Sequence, residues 1–146
     1  MRASGKLGSL HQVVDLRREL SMAYNALATS DALIASNPDL VRRMVRAILK
    51  GVRHVKASKA DTVATLLRHG ATHPEAVELE YDNLIDSITM TGTMPKEDQA
   101  FDTSLRADML EIPKEKAPHA DSVFDFSFAD KANAELQAEG WKPKLH

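Results

Sequence analysis

Not one cysteine occurs in these 146 residues, which excludes disulfides, thiolate metal sites and a cysteine nucleophile. A cysteine-free chain suits a reducing or an oxidising compartment, so redox does not locate it. Long apolar runs are equally absent, and no stretch approaches the ~20 residues that span a bilayer. The start, MRASGKLGSLHQVV, carries Arg2 and Lys6 but neither the apolar run of about 7 to 15 residues nor the cleavage-like site of a secretory signal. Net charge is only -2, from 19 Lys and Arg against 21 Asp and Glu, so overall charge gives no basis for binding nucleic acid or acidic lipid.

Catalytic signatures are missing too. There is no G-x-S-x-G, no phosphate-cradling glycine loop and no nucleotide fingerprint. His11, His54, His69, His73, His119 and His146 form no H-E-x-x-H pattern. His69 and His73 stand four apart, but Gly70 and Pro74 place a helix end and a new start between them, which denies them a common face. Carboxylate pairs such as Glu78 with Asp82 fall on exposed-looking helix positions, which are no setting for a general acid or base. These observations predict a non-enzyme with no cofactor and no metal.

What is present is helical pattern. A hydrophobic content of 43% in 146 residues can supply the core of one domain. Residues 1–9 are small and basic and read as a flexible lead. Gln12 to Leu16 and Tyr24 to Thr29 read as short strands, the minor β component of a mainly α chain. From Ser30 the period becomes 3.6. Ser30 caps a first short helix, and Asn37-Pro38-Asp39 opens a long one by offering a side-chain acceptor, a preset φ and an acid at the positive end of the dipole.

Leu40, Val41, Met44, Val45, Ile48, Leu49, Val52 and Val55 make that helix's apolar stripe, with Met44, Ile48 and Val52 expected in the core. Arg42, Arg43, Arg46, Lys50, Arg53 and Lys56 fall largely off it. This basic face carries no interleaved aromatics for base stacking, so it reads as a solvated face or a protein-docking face rather than a nucleic-acid one. A second helix, about Lys59 to His69, turns Val63, Leu66 and Leu67 inward and stops at Gly70. Thr72-His73-Pro74-Glu75 reads as a capping box for a third, with Val77, Tyr81, Leu84, Ile85 and Ile88 on one face. Pro95 starts a fourth, in which Phe101, Leu105 and Met109 lie four apart. Residues 111–122 read as a loop, and Ser127 to Glu139 as a last helix ending at Gly140.

The segments VVDLRREL-SMAYNALATSDALI, NPDLVRRMVRAILKGVRHV, DTVATLLRHG, HPEAVELEYDNL and FDFSFADKANAEL, in this order, resemble the closing part of periplasmic solute-binding proteins of ATP-binding-cassette importers. The resemblance is to the nitrate, aliphatic-sulfonate and thiamine-pyrimidine group. It implies a C-terminal fragment of a two-lobed α/β periplasmic-binding-protein-like fold of type II. Residues 1–22 would be a flexible lead and remnant of the second lobe, and 23–146 a mostly helical C-terminal segment of the first.

It implies capture of a small organic or oxyanion solute without chemical conversion, a permease as partner, and a periplasmic location. Expression of the chain as given, without a signal, implies a cytoplasmic one, and a truncated gene, a mispredicted start or a cloned fragment would reconcile the two. The resemblance places Tyr24 and Asn25 at the ligand. On the residues alone, Asn25 turns the chain, Ser30 caps a helix and Tyr24 packs in the core. The competing class is a stand-alone helical interaction module, dimeric through the surface that a missing lobe would cover.

Overall fold

The computed structural model describes residues 22, 23 and 25–145. Seven α-helices occur among them: α1 (Asp31–Ser36), α2 (Pro38–Ala57), α3 (Lys59–Arg68), α4 (Pro74–Leu84), α5 (Lys96–Met109), α6 (Ala120–Val123) and α7 (Ser127–Ala138), with 3-10 turns at Ile85–Ser87 and Lys114–Lys116. The molecule is therefore mainly α, and no strand occurs among the described residues. The strand expected at Gln12 to Leu16 lies outside them. The one expected from Tyr24 to Thr29 is not formed, since residues 25–29 run as an exposed bend and coil. A strand needs a neighbour to satisfy its backbone, and here Ala23 is held by side chains instead. Residues 111–122 likewise contain a 3-10 turn and α6 rather than loop alone.

Local signals set the helix ends. Ser30 Oγ accepts from Leu33 N–H at 3.2 Å and Asn37 Oδ1 from Leu40 N–H at 3.1 Å, so adjacent caps separate α1 from α2. Helix α3 closes with paired bonds, Ala71 N–H to Leu66 O at 3.0 Å and Gly70 N–H to Leu67 O at 3.3 Å, which need the φ of +109° at Gly70. The capping box at Thr72 does not form. The residue before a proline is pushed out of the helical region, so His73 stays extended and becomes the N-cap, with no side-chain bond.

The core lies between α2 and α7: Leu49, Ala129, Ala132 and Leu136 are buried together, with Val45 and Trp141 against them. Met44 and Ile48, expected inside, are 48% and 43% exposed. Counting about 100° per residue, α2 is rolled toward its arginines by roughly a quarter turn from the phase of the apolar stripe. The cause is visible on α7. Its Ala129 and Ala132 pack with Leu49, and its Glu135 and Glu139 receive the guanidiniums of Arg42 and Arg46.

Candidate functional site

Helix α5 is the unusual element, because its buried residues are Gln99, Asp102, Thr103 and Ala107. Phe101 and Met109, which form its apolar row with Leu105, are 43% and 70% exposed. A polar face can be buried only if its groups are paired, and these are: Gln99 Nε2 donates to Met94 O at 2.7 Å, and Thr103 Oγ1 to Gln99 O at 2.8 Å. Asp102, 1% exposed, reaches across the chain. Its Oδ1 accepts from Ala23 N–H at 3.0 Å while Oδ2 accepts from Arg106 Nε at 2.8 Å. Arg106 Nη2 in turn donates to Ala23 O at 2.6 Å. One turn of helix thus grips both polar groups of a single residue, and the Asp102 carboxylate raises the Arg106 pKa above its ordinary value.

Of the two residues expected at the ligand, Tyr24 lies outside the described residues. Asn25 is exposed in the bend just after the gripped Ala23, so the chain leaves α5 and presents Asn25 to solvent. Thr29, Ser30 and Asp31 follow in exposed positions, and the Ser30 hydroxyl is committed to its cap.

Beside α5 an open cleft of about 540 Å³ runs between that helix, Ile112 to His119 and α6. Its floor of Ala100, Ala107, Ala117 and Ala120 is flanked by Ser104, Asp108 and Lys114, with the Lys96–Asp121 ion pair on its lining. Lys96 neutralises Asp121 and lowers its pKa, and the Ser104 hydroxyl, Asp108 and His119 share the lining. Among the described residues no three His, Asp or Glu gather as a metal set, and no helix is long and apolar enough to cross a membrane.

Sequence reasoning did not find the grip on Ala23. The Asp102–Arg106 spacing of four is a helix pair any reader would note, but the peptide it holds lies 79 positions away. No family model, curated protein or solved structure matches this chain.

Proposed function

We propose that the chain is the solute-binding component, in part, of an ATP-binding-cassette importer, capturing a small organic or oxyanion solute without chemical conversion. The carrying observation is the Asp102–Arg106 grip on Ala23. It anchors the chain immediately before Tyr24 and Asn25, the positions that the resemblance assigns to the ligand, and an anchored backbone is what an aimed polar contact needs. The helices α2, α3, α4 and α7 also coincide with the segments that carry the resemblance. The reading entails a permease partner, a second lobe closing over Asn25 and a periplasmic site of action.

Calorimetric titration of the chain with nitrate, alkanesulfonates and pyrimidines tests it. Weak saturable binding, diminished by Tyr24→Ala and Asn25→Ala, is expected, since one wall of a two-walled cleft buries little of a ligand. Turnover of any solute overturns the reading. A second reading, a helical interaction module that pairs with a copy of itself, is favoured by the exposed Met44 and Ile48 on α2 and Phe101, Met109 and Leu110 on α5 and at its end. Concentration-dependent dimerisation without solute binding would select it.

A further inference from the structure

The arginines of α2 are not treated alike. Arg42 and Arg43 bind Asp39 at 2.8 and 3.1 Å, Arg42 also reaches Glu135 at 3.2 Å, and Arg46 binds Glu135 and Glu139. Arg53 has no carboxylate partner among the described residues. Its Nη2 donates to the amide oxygen of Asn133 at 2.9 Å, and Asn133 Nδ2 donates in turn to Thr91 O at 2.9 Å. The guanidinium is therefore fixed in place by a neutral group, with its charge left uncompensated. Arg53 lines a cleft of about 440 Å³ together with Asn133, Gln137, Trp141 and Lys142, and no acidic residue among the described ones lines it. Lys142 forms no ion pair among the described residues, and Lys50 sits 5.3 Å from the centre of the Trp141 ring.

The negative end of α7 reaches this cleft, and its terminal carbonyls would oppose an anion. They are covered. Trp141 N–H donates to Leu136 O and Gly140 N–H to Gln137 O, each at 3.0 Å, a closure that Gly140 permits at φ +60°. In a chain with net charge -2, a held guanidinium, an ammonium with no ion pair among the described residues and the Gln137 amide line one cleft that no described carboxylate lines. We propose that this cleft binds a small oxyanion, a phosphate or carboxylate group held by Arg53 and Lys142 with Gln137 beside them. The site is independent of the proposed function and of Asn25.

Trp141 is the only tryptophan in the chain and lines the cleft, so its fluorescence reads occupancy directly. The chain is titrated with inorganic phosphate and separately with succinate, at constant ionic strength set with sodium chloride. A saturable change with either is expected, and the tighter of the two identifies the source as phosphoryl or carboxylate. Arg53→Gln and Lys142→Gln should each weaken it about tenfold, the loss of one charge-assisted contact. Tyr24→Ala and Asn25→Ala should leave it unchanged, which separates failure here from failure of the carrier reading. Lys142 is exposed and outside any helix, so its variant keeps the fold even if Arg53→Gln does not, as circular dichroism will report. A response that fails to saturate with both anions, or that is unaltered in folded Lys142→Gln, overturns the proposal.

Discussion

Glu111 is the described non-glycine residue with positive φ, +54°. It ends α5 by the closure that Gly70 and Gly140 make for α3 and α7: Ile112 N–H bonds Ala107 O at 2.9 Å and Glu111 N–H bonds Asp108 O at 3.1 Å. A side chain in the left-handed region costs ~1–2 kcal/mol, part of which glycine would return as unfolded-state entropy. Glu111→Gly should therefore stabilise the fold by about 0.5–1 kcal/mol, measured as a higher urea midpoint at unchanged slope. A second residue-scale expectation concerns acid. Asp39 is held below the ordinary carboxylate range by its bond from Arg42, Asp121 by Lys96, and Asp125 by Ser127. A carboxyl with a lowered folded pKa contributes stability that is complete above its unfolded value, near ~4, and is lost as pH falls through the folded value. The urea midpoint should thus drop as pH is taken from about 5 to about 2, and Asp125→Asn should flatten the drop.

At the scale of elements, the roll of α2 makes a sharp contrast between neighbours. Leu49 is 2% exposed and Ile48 43%. Leu49→Ala should cost about 2–4 kcal/mol through transfer and cavity terms, whereas Ile48→Asp should cost under about 1 kcal/mol. Arg46→Ala, on a side chain 19% exposed between two glutamates, should cost about 1–2 kcal/mol. Urea titration of the three variants checks the order, and severe loss from Ile48→Asp would reinstate the phase of the apolar stripe. That stripe was legible, as were the caps at Ser30 and Asn37 and the stops at Gly70 and Gly140, because each depends on neighbours within a turn. Which flank of α2 would be buried was not legible, since it is decided by Ala129, Ala132, Glu135 and Glu139 more than 70 positions on. The same holds for α5, where Phe101 and Met109 advertise an apolar face but Gln99, Asp102 and Thr103 find partners and are buried instead. The grip on Ala23 was not legible at all, because Asp102 and Arg106 meet a peptide that no local pattern pairs with them.

Over the whole molecule, stability is unevenly shared. The seam between α2 and α7 encloses Leu49, Ala132 and Leu136 at 2%, 0% and 0% exposure, with Val45 and Trp141 alongside, and it is tied at its edge by the Arg42 and Arg46 ion pairs. Helices α5 and α6 bury Gln99, Asp102, Thr103, Ala107 and Ala120. Paired polar groups and alanines remove little apolar area from water, and each satisfied hydrogen bond returns only ~0.5–1.5 kcal/mol net. Helices α5 and α6 should therefore open at lower free energy than α2 and α7. Hydrogen exchange resolved by peptide is expected to show full protection in α2 and α7 while amides of α5 exchange by local opening. In urea, Trp141 fluorescence, which reports the α2–α7 core, should change after part of the helical signal is already lost. Asp102→Ala sharpens the test: with the grip on Ala23 removed, protection in α5 should fall further while that in α2 and α7 stays as it was. Equal protection in all four helices, or coincident fluorescence and helix transitions, would mean that the α5–α6 arm unfolds with the core as one cooperative unit, and that the small polar contacts of α5 hold as firmly as the aliphatic packing around Leu49.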